Sequence, residues 1–177
     1  MSDAGAAFTA SQRLQLFSNP AVPLVVKVLG VARGAIKTAT HAPVVASLGI
    51  PFVLVELTNE TSLSASEPNV AAMREGAALH PDSHDFAIFV YVKSGNQIYS
   101  RMFAPLDNIP EDPATGSASA TLAALLTQLS NTPQNLIFTQ GVDMGRPSRI
   151  TARTTLNPVT VTIEGQAVKT MSGEFIL

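Results

Sequence analysis

Cysteine is absent from the 177 residues. A disulfide framework, a thiolate nucleophile and a cysteine-held zinc site are therefore closed to this chain. Charge is scarce as well. Lysine and arginine number 11, aspartate and glutamate 13, and the formal net charge is −2. That balance gives no reason to expect nucleic acid, which requires a clustered basic face. Long apolar runs are missing too, because AVPLVVKVLGVARGAI is interrupted by Pro23, Lys27 and Arg33, whereas a membrane span needs about 20 mostly apolar residues. The opening MSDAGAAFTASQ has neither the basic start nor the small-residue cleavage site of a secretory signal. It reads as a frayed terminus, and residues 1–19 are expected to be flexible or partly ordered ahead of a single domain over 20–177. A cytoplasmic protein with no membrane contact is expected.

What is present is apolar material. Hydrophobic residues make up 46% of the chain and charged ones 14%, the reverse of the balance that leaves a chain disordered. PFVLVEL (51–57) is short, apolar and β-branched, and reads as a buried strand. TNETSLSASEP reads as a polar loop, with Ser66 or Glu67 capping a helix begun by Pro68. HPDSH (80–84) follows as a turn. DFAIFVYVK alternates Phe86, Ile88, Val90 and Val92 on one face and returns through SGN into QIYSRMF, a hairpin. A proline-bearing loop then leads to a helix from about Ser117 to Leu129. NLIFTQG, SRITARTT and VTVTIEG are further strands, and AVKTMSGEFIL reads as a hairpin turning near Ser172-Gly173. Strands follow one another without regular helix alternation, which points to a mostly antiparallel α+β fold. The Ser117 helix is apolar nearly all round, so it is expected to be buried with the sheet wrapped about it.

The stretch PEDPATGSASATLAALL (110–126) holds the chemistry. A helix start leaves its first backbone N–H groups unpaired and carries partial positive charge, which favours an anion such as a carboxylate. Thr115-Gly116-Ser117 places the least bulky residue where a ligand would approach the backbone. Pro110 and Pro113 limit how far Asp112 wanders. As a pattern of residues alone, the same string is also an ordinary capped turn before a helix.

RMFAP (101–105), EDPATGSA (111–118) and QGVDMGRPSRI (140–150), in this order and spacing, resemble the C-terminal half of the PhzF family. These are the phenazine-biosynthesis-type isomerases, related in fold to diaminopimelate epimerase. SLGIPFVLVEL (47–57) looks like the strand entry that follows the family's domain crossover. The resemblance covers roughly residues 20–177, and EDPATGSA is its most specific part. It implies two similar α+β domains, each a sheet curled around a central helix, with the helix N-termini meeting across a cleft. It further implies proton transfer at carbon in a small carboxylate substrate, as in isomerisation of a dihydro-hydroxyanthranilate, without metal or other cofactor. Asp112 and Ser117 match the family's catalytic positions. The backbones of Gly116 and Ser117 would cradle the substrate carboxylate, with Glu111 and Thr115 beside them as substrate-binding residues. Asn108 stands where the family usually has glycine, and asparagine also tolerates left-handed backbone.

The family's N-terminal motifs, an early Gly-Asn-Pro, an acid/base Glu and a Gly-His, do not occur in this sequence. One copy is therefore expected to bind a carboxylate better than it moves a proton, since a carboxylate held beside a helix start is a weak base. A homodimer, or a separate partner supplying the missing half, is expected to complete the cleft and cover its apolar surface. A non-catalytic carboxylate-binding module and a structural remnant of such an enzyme are the other readings. Arg101 is expected to pair with Glu111 or Asp112, and Arg146 to tie loops together, both in support of the site. His80, His84 and His41 read as turn or surface residues. Tyr91 and Tyr99 read as cross-strand packing.

Overall fold

Period-two alternation dominates the chain, and strands make its frame. The computed structural model describes residues 5–10, 12–167 and 171–174. Its strands are β1 (Gly5–Thr9), β2 (Gln15–Leu16), β3 (Val44–Ser47), β4 (Pro51–Glu56), β5 (Ile88–Ser94), β6 (Gln97–Ala104), β7 (Ile109–Asp112), β8 (Asn135–Gln140), β9 (Ser148–Thr154) and β10 (Val161–Gln166). The helices are α1 (Val22–Leu29), α2 (Glu60–Ser64), α3 (Val70–Leu79) and α4 (Gly116–Ser130). One mixed sheet runs in the order β1-β10-β9-β8-β6-β5-β4-β3-β2, with β7 paired to β6. Only β4–β5 and β6–β8 are parallel pairs, so the expected mostly antiparallel α+β architecture holds.

The β5–β6 hairpin runs in register from Ile88 opposite Phe103 to Ser94 opposite Gln97, closing at Gly95 with φ +60°. Alternate residues feed two cores. Ile88, Val90 and Val92 join Val25, Leu29 and Met73 under α1 and α3. Phe89 and Tyr91 join Leu122, Ala123 and Leu126 of α4 on the other face. The sequence shows one apolar face of β5; the protein buries both.

Helix α4 is buried from Ala118 to Thr127. It packs against β9 and β10 from one end of the sheet and β3 from the other. Only a sheet bent around the helix reaches it from both ends, and the sheet stays open between those ends. The alanines and serines of α4 keep its girth small enough for that approach.

Several local expectations are corrected. The stretch around Pro23, read only as too interrupted to span a membrane, forms α1 with the proline in its first turn, where no N–H is needed. The polar loop after Thr58 contains α2, whose N-cap Asn59 accepts the Ser62 N–H at 2.8 Å. Helix α3 is capped by Asn69, not by Ser66 or Glu67. Ahead of residue 20, β1 pairs with β10 and β2 with β3. In the expected C-terminal hairpin, residues 168–170 and 175–177 lie outside the described residues, and 171–174 have no regular structure. No helix of the described residues is long and apolar enough to cross a membrane.

Candidate active site

Strand alternation separates the two carboxylates of the site loop. On β7, Glu111 and Asp112 point to opposite faces. Glu111 meets Arg101 in a fork, with Nε donating to Oε1 at 2.9 Å and Nη2 to Oε2 at 2.8 Å. This bidentate hydrogen bond, ahead of the opposing effect of burial, holds the Arg101 guanidinium above its ordinary pKa. Glu111, expected beside the substrate, is thus committed to a structural pair. Arg101 Nη1 also gathers the carbonyls of Leu63, Ser64 and Ser66.

Asp112 turns the other way. Its Oδ2 accepts the Thr115 hydroxyl at 2.6 Å. Thr115 occupies the N-cap position of α4 without bonding the helix amides through its side chain. Its own N–H goes to Gln140 Oε1 at 3.1 Å, while Gln140 Nε2 donates to the Thr115 hydroxyl and to the Asp112 carbonyl. The Ser148 hydroxyl ties down the Pro113 carbonyl at 2.6 Å. The first helical bond runs from Ser119 N–H to the Thr115 carbonyl. The amides of Gly116, Ser117 and Ala118 therefore find no acceptor among the described residues, as the geometry of a helix start dictates. Ser117 is exposed, and its hydroxyl has no partner among the described residues.

The helix start and a pocket of about 260 Å³ meet at Thr115. Asp112, Thr115, His84 and Asp107 are its polar lining, with Phe52 and Met102 among the apolar lining. Two larger hollows lie elsewhere. One of about 420 Å³ runs along β1, β9 and β10. The other, about 390 Å³, sits at the far end of α4, where Lys37 is engaged by Glu56 and Lys93 by the Gly95 carbonyl. Neither adjoins a helix start, so the smaller pocket is the candidate site.

The structure thus gathers Asp112, Thr115, Gly116 and Ser117, and sets Glu111 and Arg101 behind them. Arg146 does not join: it is exposed, and its side chain bonds to none of the described residues, while its N–H donates to the Gly141 carbonyl. The tight residue of that turn is Gly141, with φ +75°, where a Cβ would lie 2.4 Å from the Arg146 carbonyl and 3.0 Å from Pro113. Gln140, Asp107 and the pocket position of His84 were not legible beforehand. A glutamine just before a left-handed glycine, inside the QGVDMGRPS string, is the signal that bore on the first of these.

The family model described as "Phenazine biosynthesis-like protein" matches residues 14–173. A trans-2,3-dihydro-3-hydroxyanthranilate isomerase of Pseudomonas chlororaphis is 40% identical over 94 residues, which cover 49% of this chain and 33% of that protein. An uncharacterized isomerase of Mesorhizobium japonicum is 30% identical over 162 residues, covering 84% of this chain and 53% of its own length. The chain therefore spans about half, or less, of the curated relatives it matches. Among solved structures, a PhzF-family phenazine biosynthesis protein of Bacillus anthracis superposes with a TM-score of 0.78 at 18% identity, over 92% of this chain and 57% of the other. A predicted epimerase of Pseudomonas aeruginosa superposes with a TM-score of 0.71 at 22% identity, over 97% and 61%. At these identities the superpositions establish the fold.

Proposed function

Because the chain belongs to the phenazine biosynthesis-like (PhzF) family, we propose that it serves an isomerase that moves a proton between carbons of a small carboxylate metabolite, in the cytoplasm and without a cofactor. The observation that carries this reading is the trio of unpaired amides, Gly116 to Ala118, opening a buried helix beside the pocket of Asp112. Such amides favour a carboxylate and stabilise the charge that develops when an adjacent carbon loses its proton. Asp112 is the group beside the reacting carbon, and Thr115 and Gln140 fix its position. Ser117 stands exposed at the helix start, free to bond the substrate.

The reading includes a partner. Ile50 and Ile109 line the pocket yet stand 46% and 47% exposed. A second copy of the chain, or a separate polypeptide carrying the family's other half, would cover this mouth and exclude water. A carboxylate-binding module without catalysis is the second reading. It is favoured by one feature, the Thr115 hydroxyl already occupying Asp112 Oδ2.

The test is carbon-bound proton exchange. The chain is incubated in heavy water with trans-2,3-dihydro-3-hydroxyanthranilate and with simple amino and hydroxy carboxylates, and deuterium at carbon is followed by NMR. Protein-dependent incorporation that falls about 100-fold or more in Asp112→Asn supports the isomerase. Shifts of the Gly116–Ala118 amides without incorporation support the module. Neither response overturns both.

A further inference from the structure

The pocket has further polar lining in His84 and Asp107, and the backbone next to His84 is under constraint. His84 rides on the turn between α3 and β5, and Asp107 on the short 3-10 turn after β6. His84 Nε2 lies 3.5 Å from Asp107 Oδ2, and both side chains line the pocket that Asp112 lines. The two residues after His84 both have left-handed backbone, Asp85 at φ 43° and Phe86 at φ 55°. A bulky aromatic residue seldom adopts that conformation, and such strain persists only where surrounding structure imposes it.

The imposing contacts are specific. The Phe86 ring is buried against Gly76 of α3, so closely that a Cβ on Gly76 would lie 2.8 Å from it. The Ser83 hydroxyl donates to the His80 carbonyl at 2.6 Å and accepts the Phe86 N–H. Ala87 N–H closes on the His84 carbonyl. Asp82 takes both the N–H and the hydroxyl of Ser18. An exposed histidine–aspartate pair contributes little to stability, so the strain is not explained by the pair it delivers. Its result is an imidazole held at the pocket wall.

We propose that His84, oriented by Asp107, is the proton-carrying group of this site, in the pocket that Asp112 also lines. The proposal rests on the isomerase reading given above. With the proton on Nε2, the nitrogen that faces Asp107, Nδ1 keeps a lone pair. Nδ1 takes a proton from a substrate carbon, and the electrons of that C–H bond pass into the enolate or dienolate that the helix amides stabilise. The imidazolium then returns the proton to a different carbon of the same molecule. Atoms and charge balance without an oxidant or reductant. Imidazole suits the step because it takes and gives a proton near neutrality. The titratable groups around it are Asp85, Asp107 and Asp112. Burial raises the Asp107 carboxyl, His84 pulls it back down, and Asp85 adds to the rise.

The deuterium-exchange assay on the full chain tests this. His84→Gln is expected to lose between about 100- and 10,000-fold of the exchange rate, while binding of 3-hydroxyanthranilate, used as an inert probe, changes less than about threefold. Added imidazole should restore part of the exchange to His84→Gly. Asp107→Asn is expected to lower the exchange rate about tenfold or more with probe binding unchanged, and Asp107→Glu to restore part of it. A merely structural role would change probe binding and folding along with the rate. Full exchange in His84→Gln alongside lost exchange in Asp112→Asn overturns this proposal and leaves the isomerase reading standing. Full exchange in Asp107→Asn overturns the orienting role. Absence of exchange in the unsubstituted chain overturns the reading and the proposal together.

Discussion

Gln140 is fully buried, and its amide bonds the Thr115 N–H, the Thr115 hydroxyl and the Asp112 carbonyl. It acts as an internal splint for the site loop. Gln140→Ala leaves those groups unpaired and should cost about 2–4 kcal/mol, read as a lowered midpoint in urea. Carboxylate binding at the helix start should weaken with it. Ser18 provides a second residue-scale test. Burial raises the Asp82 pKa, but the Ser18 N–H and hydroxyl outweigh it, and the pKa lies below the ordinary aspartate value of 3.8. A lowered carboxylate pKa stabilises the fold above the unfolded value, and the gain disappears as pH falls through the folded value. Ser18→Ala should therefore cost about 1 kcal/mol at pH 7, reduced by solvent exposure. The difference from the parent should vanish in denaturation curves recorded well below pH 3.8.

At the scale of elements, Arg101 holds more than Glu111. Three carbonyls at the end of the five-residue α2 converge on its Nη1. Lysine offers a point charge in place of the planar fork. Arg101→Lys should cost about 1–3 kcal/mol, and amide exchange across residues 60–66 should quicken while α3 is unaffected. Elements whose stability is written in their own pattern were legible in advance: the β5–β6 hairpin from strict alternation, and α4 from its all-round apolar composition. The short α2 was not, because ETSLS is polar and its anchor, Arg101, arrives from a strand 37 residues further on. Over α1 the sequence reading excludes only a membrane span, and Pro23, which breaks the apolar run, lies in the helix's first turn. The site divides the same way. Asp112, Thr115 and Gly116 are contiguous in a motif, so they were found together. His84 and Asp107 are separated in sequence and meet only because β5 and β6 pair, bringing Ile88 opposite Phe103. HPDSHD looked like any polar turn, since backbone sign at Asp85 and Phe86 leaves no mark in composition.

For the whole molecule, the bent sheet forms two cores, one around α4 and one under α1 and α3. The proposed covering of the pocket mouth predicts self-association, or association with a separate partner chain. Sedimentation of the chain alone should show dimers at micromolar concentration if the partner is a second copy. Ile50→Glu with Ile109→Glu should return it to monomers without loss of folding. A parent chain that sediments as a monomer and retains full exchange activity would exclude the partner. The pairing order of the sheet has a kinetic consequence. The β5–β6 hairpin needs only a two-residue closure, whereas β4 must dock on one side of it across α2 and α3, and β8 on the other across β7 and α4. Loop-closure entropy delays both dockings relative to the hairpin. In pulse-labelled refolding, amides of residues 88–103 should gain protection before those of 135–140, so the chain would assemble outward from its middle.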